Sequence, residues 1–84
     1  MMSWSNNIPI LDLHGLKHQE AREALDSFIS DNIVFDRRKV SIITGRSENM
    51  KKIVNDLVDF YEVKQQSNFF NEGIIDIILK PLTD

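Results

Sequence analysis

The chain predicts a two-layer α/β (α+β) sandwich: a four-stranded mixed sheet of order 1-2-4-3 with two helices on one face. Three observations predict it. Apolar residues recur at three- and four-residue steps in two separate windows, which is helical spacing. Short β-branched or alternating runs surround those windows, which is strand spacing. The last run, residues 74–79, is almost wholly apolar and follows a glycine-ended turn, as a central strand returning in a hairpin would.

The elements follow in order. Residues 1–7 form a flexible lead-in, and residues 8–84 form one domain, the most that 84 residues allow. Residues 8–14 read as the first strand, closed by Gly15; Pro9 is tolerated at a strand's start. Residues 16–35 read as a helix whose inward stripe is Leu16, Ala21, Ala24, Leu25, Phe28, Ile29 and Ile33, with Glu20, Glu23 and Asp26 off it. A charged turn, Asp36-Arg37-Arg38, leads to the second strand at residues 39–44, stopped by Gly45. The second helix, residues 47–61, opens at Ser47 and carries Met50, Ile53, Val54, Leu57, Val58 and Tyr61 on its stripe. Residues 63–70 form the third strand, polar enough at Lys64, Gln65, Gln66, Ser67 and Asn68 to be an edge. Asn71-Glu72-Gly73 turns it into the fourth.

The order β-α-β-α-β-β makes the first three strands parallel and the fourth antiparallel. Right-handed crossovers in one direction place both helices on the same face and leave the other open. Period-two alternation then points Leu11 and Leu13 at the helices and Ile10, Asp12 and His14 at the open face.

Composition narrows the function classes. Cysteine is absent, which excludes disulfides and thiolate metal sites and fits a reducing compartment. No apolar run approaches the roughly 20 residues that cross a bilayer, and the first residues lack both parts of a signal peptide. The expectation is a cytoplasmic protein with no membrane partner. A net charge of −3 argues against binding nucleic acid through bulk electrostatics, so any such binding needs a local basic cluster.

Such a cluster is present. In the order 1-2-4-3 the carboxyl ends of strands one and two lie side by side, each followed by a glycine turn and a helix. Open α/β sheets bind ligands at that end, and paired helix N-termini with free N–H groups favour phosphate. Gly15, Lys17, Thr44, Gly45, Ser47, Lys51 and Lys52 gather there as expected nucleic-acid contacts. Asp12, His14 and Arg46 are the expected catalytic residues: His14 to transfer protons, Asp12 to orient it or share the transfer, and Arg46 to clamp the phosphodiester. The blander readings are that His14 is a turn residue, that Asp12 caps the turn, that Arg46 pairs with Glu48, and that Lys51, Lys52 and His18 are solvated helix residues. Trp4 packs over a sheet edge in the simpler reading, and Asp76 is an ordinary open-face residue. Two histidines and scattered carboxylates supply no metal-ligand spacing, so no cofactor is predicted.

The segment Leu11-Asp12-Leu13-His14-Gly15, closing a strand and opening an amphipathic helix, resembles the L-D-x-H-G signature of Smr (small MutS-related) domains. The similarity continues through Ala21, Ala24, Leu25 and Phe28, resumes at residues 40–46, and ends on the strand at 75–80. The resemblance implies a fold like the C-terminal domain of a bacterial translation initiation factor. It also implies nicking of DNA or endonucleolytic cleavage of RNA, including messenger RNA on stalled ribosomes, with Asp12 and His14 carrying activity. The family's second motif, usually H-G-x-G with a basic residue at x, reads Thr44-Gly45-Arg46-Ser47 here. Arg46 keeps the basic position, threonine is a known variant, and Ser47 departs from the glycine.

The resulting expectation is a phosphodiester endonuclease, with RNA ahead of DNA. A divalent metal enters only if the substrate is DNA, and a ribosome or recruiting protein is a possible partner. The rivals are a non-catalytic nucleic-acid-binding module and a protein-interaction domain docking through open-face apolar residues such as Ile10 and Ile78.

Overall fold

The computed structural model describes residues 8–67 and 72–80. The elements are β1 (Ile10–Asp12), α1 (His18–Val34), β2 (Lys39–Ile43), α2 (Glu48–Tyr61), β3 (Lys64–Ser67) and β4 (Ile74–Ile78). The expected lead-in, Trp4, Asn71 and the end of the third strand lie outside the described residues.

The sheet order is β1-β2-β4-β3. β1 runs parallel to β2, with Leu11 beside Ile42 and Asp12 beside Ile43. β4 is antiparallel to β2 on one side and to β3 on the other, so the most apolar strand sits inside and the polar strand at the edge. Both helices return the chain to the same end of the sheet and pack against one another.

Alternation along the strands builds the core. Val40 and Ile42 of β2 and Ile75 and Ile77 of β4 are buried beneath Leu25, Ile29, Val54 and Leu57 of the helices. The opposite alternation leaves Ile10 62% exposed. On that open face Asp76 is not an isolated surface carboxylate. It is only 14% exposed, accepts a hydrogen bond from Ser41 Oγ at 2.7 Å, and faces Lys39 Nζ at 3.5 Å.

The end of α1 differs from its expected stripe. Ile33 is exposed, and the inward position belongs to Asn32. Its side-chain amide donates to the Phe28 carbonyl at 2.8 Å, which satisfies a polar group that would otherwise be costly to bury. The helix also begins later than residue 16. Leu16 N–H donates to Leu13 O at 3.1 Å, so residues 13–16 form a turn ahead of it. Ion pairing between Arg22 and Asp56 and a hydrogen bond from Tyr61 to Asp26 lace α1 to α2.

Candidate nucleic-acid interface and active site

The first loop is shaped by one glycine. Gly15 has φ +87°, the third position of a turn closed by the Leu16-to-Leu13 hydrogen bond. That conformation is open to glycine and strained for other residues. The turn buries Leu13 as an anchor and lifts His14 to the corner, where its side chain is 70% exposed. Asp12, the last residue of β1, reaches over the same corner. Its Oδ1 accepts the His14 backbone N–H at 3.0 Å and stands 3.4 Å from His14 Nδ1. One oxygen both caps the turn and faces the imidazole, a geometry that accommodates either reading of Asp12.

The second loop meets the first at a glycine. Gly45 has φ +66°, and a Cβ built there would lie 3.8 Å from His14 Cβ. Arg46 follows at the exposed edge of this contact. No hydrogen bond or ion pair among the described residues engages it; Glu48, its expected bland partner, pairs with Lys51 at 3.7 Å instead. The loop is held from below. Thr44 and Gly45 N–H groups both donate to the Gly73 carbonyl, at 2.7 and 3.2 Å, tying it to the β3–β4 turn.

Thr44 itself has a different place from the one expected. It is 1% exposed, and its hydroxyl lies 2.9 Å from Gly45 O and 3.2 Å from Gly73 O. A side chain so placed supports the loop and does not present its hydroxyl to a ligand. Ser47 is the N-cap of α2, accepting the Met50 N–H at 3.2 Å. Its φ of −74° is ordinary for any residue, so the position has no need of the family's glycine on backbone grounds. Lys17 is the N-cap of α1; its N–H donates to Glu20 Oε1 at 3.1 Å, and the residue is exposed.

The two lysines of α2 part company. Lys51 lies toward β4, lining a hollow with Glu48, Asn55, Gln65 and Glu72. Lys52 lies on the opposite flank, in a cleft of about 520 Å³ between the N-terminal parts of α1 and α2, with His18, Arg22 and Asn49. The structure thus brings together Asp12, His14, Gly15, Gly45 and Arg46, and it splits the expected basic cluster into two flanks. His18 and Asn49 were not expected at a site. Their signal was periodic: positions 18 and 22 share one face of α1, as do 49, 52 and 56 of α2. Among the described residues, no three His, Cys, Asp or Glu side chains come close enough to hold a metal ion.

An open-faced α/β sheet with two glycine loops converging at the carboxyl ends of adjacent strands defines a class of ligand-binding domain. The chain belongs to the Smr domain family, whose profile matches residues 11–71. That family is associated with nucleic-acid binding and nuclease activity. Among solved structures, the Smr domain of Thermus thermophilus MutS2 is similar in fold at a TM-score of 0.77 and 15% identity, covering 88% of this chain and 100% of that one. No curated protein matches the chain in sequence. Among the described residues, no helix is long and apolar enough to cross a membrane.

Proposed function

We propose that the protein is an endonuclease cleaving phosphodiester bonds, with RNA favoured over DNA as substrate. The observation that supports this is the convergence of His14, its Asp12 neighbour and the Gly45-Arg46 loop at one solvent-facing corner.

In RNA, the 2′-oxygen attacks the adjacent phosphorus and the bond to the 5′-oxygen breaks, leaving a 2′,3′-cyclic phosphate and a 5′-hydroxyl. His14 accepts the 2′-hydroxyl proton through Nε2, the nitrogen turned away from Asp12. Asp12 Oδ1, at ion-pair rather than hydrogen-bond distance, stabilises the imidazolium that forms. Arg46 neutralises charge that develops on the phosphoryl oxygens, and the departing 5′-oxygen takes a proton from solvent. The loop backbone around Gly15, Gly45 and Ser47, with Lys17, positions the strand. DNA lacks the 2′-hydroxyl, and nicking it would require an activated water and a divalent ion.

A second reading, a nucleic-acid-binding module that does not cleave, is favoured by the inward Thr44 hydroxyl, which leaves the second loop without a side chain that transfers protons. In either reading a ribosome or recruiting protein in the cytoplasm would narrow substrate choice. The deciding experiment incubates the protein with labelled RNA and with supercoiled circular DNA, with and without chelator, beside His14→Ala. Cleavage of RNA that is lost in His14→Ala and indifferent to chelator supports the transesterification. Binding without cleavage of any substrate supports the second reading.

A further inference from the structure

The cleft between α1 and α2 is not needed for the chemistry at His14, yet its side chains are arranged for an anion. Its acidic members are already engaged. Asp56 faces the Arg22 guanidinium at 3.5 Å, and Glu23 accepts from Gln19 Nε2 at 3.3 Å. The remaining polar members, His18, Lys52 and Asn49, have no hydrogen bond or ion pair among the described residues. One ammonium, one imidazole and one amide therefore turn unengaged donors into a concave site with Ile53 among its lining residues. The site begins one residue past Lys17 and four past His14, on the flank of α2 away from Lys51.

We propose that this cleft is a second phosphate subsite for the same nucleic-acid strand, in which Lys52 and His18 hold a backbone phosphate next to the segment bound at His14 and Arg46. The inference rests on the nucleic-acid reading above and adds a direction to it: the strand leaves the catalytic corner between the helices, not across the open sheet face. Two consequences follow from the chemistry of the cleft. Lys52 adds a counterion-releasing contact. His18 shares the cleft with Arg22 and Glu23 of its own helix and with Lys52 and Asp56 of the other, so its ring N–H adds a donor beside the Lys52 ammonium.

The chain has two histidines, which makes the test clean. His14→Ala removes one of them and cleavage together, leaving His18 as the only imidazole. In that background, fluorescence anisotropy with a labelled single-stranded RNA oligonucleotide measures affinity against salt. Lys52→Ala should reduce the slope of log affinity against log salt by about one, while Lys51→Ala reduces it less. At one fixed pH, His18→Ala should lower affinity severalfold, because the ring's donor is lost from the cleft. NMR of the His18 ring should show its C–H signals shift with the oligonucleotide and not with an equal concentration of inorganic phosphate. Equal salt slopes for the two lysine variants, or an affinity unchanged by His18→Ala, would overturn the subsite while leaving the reading at His14 and Arg46 in place. An equal response to inorganic phosphate would mark a free-anion site and overturn the strand assignment. RNA binding by no form of the protein would overturn both readings together.

Discussion

Asp12 Oδ1 accepts the His14 backbone N–H at 3.0 Å and stands 3.4 Å from the same residue's Nδ1, so one carboxylate oxygen fixes both the turn and the ring's surroundings. This relationship separates the two residues experimentally. Asp12→Asn keeps an oxygen acceptor for the turn but loses the charge beside the imidazole.

The proton-transfer assignment therefore predicts unequal losses. His14→Ala should reduce RNA cleavage by about a hundredfold or more, the range of a positioned acid–base group, with its melting temperature little changed because the side chain supports no core. Asp12→Asn should lower cleavage strongly while RNA binding, followed by anisotropy, stays nearly constant. Wild-type rates in His14→Ala would refute the assignment.

Arg46→Ala should weaken binding and cleavage together, because the guanidinium meets phosphate in both ground and transition states. Lys39→Ala, at the far end of β2 and paired to Asp76, should leave both unchanged. Equal effects of the two on measured affinity would displace the site from the loops.

The open-face carboxylate is a matter of stability. Asp76→Ala removes the acceptor for Ser41 and the partner of Lys39 in a mostly buried setting, and should cost about 1–3 kcal/mol in urea unfolding. Lys39→Ala should cost less, about 0–1 kcal/mol, since its ammonium is more exposed.

At the loops, Gly45→Ala should destabilise by about 1–3 kcal/mol, because the added Cβ finds only ordinary contact and the cost lies in φ +66°. Ser47→Ala should cost about 1 kcal/mol through the lost cap, whereas Ser47→Gly, the family's residue, should be nearly neutral. Thermal melts of the three variants check the order.

Hydrogen bonding to the Asp26 carboxylate, aided by burial, raises the Tyr61 hydroxyl above its ordinary pKa of 10.0. A raised pKa means the folded state favours the protonated phenol. The contribution is fully present below the unfolded value and fades as pH rises through the folded one. Wild-type melting temperature should fall more steeply than that of Tyr61→Phe in that alkaline window. Parallel curves would show that the bond links the helices without stabilising them.

The residues themselves determined the element order, the strand order and the two faces of the first strand. Leu13 is buried and Ile10 exposed where alternation placed them, because side-chain direction in a strand follows from backbone geometry alone. The exposed corner at His14 was legible for the same reason, since a glycine after a strand announces a turn. What only the tertiary structure decided depends on partners distant in sequence. Thr44 turns inward because Gly73, 29 residues away, presents its carbonyl there. Lys51 and Lys52 face different flanks because adjacent helical residues diverge by about 100° and α1 packs along only one side. Asn32 displaces Ile33 from the interior because the packing of α1 onto remote elements selects one of two neighbouring positions, while the amide itself is satisfied locally at Phe28 O, four residues back. Periodicity is local and readable along the chain; which face of a helix is covered, and which remote carbonyl a loop meets, is settled only when the chain brings distant groups together.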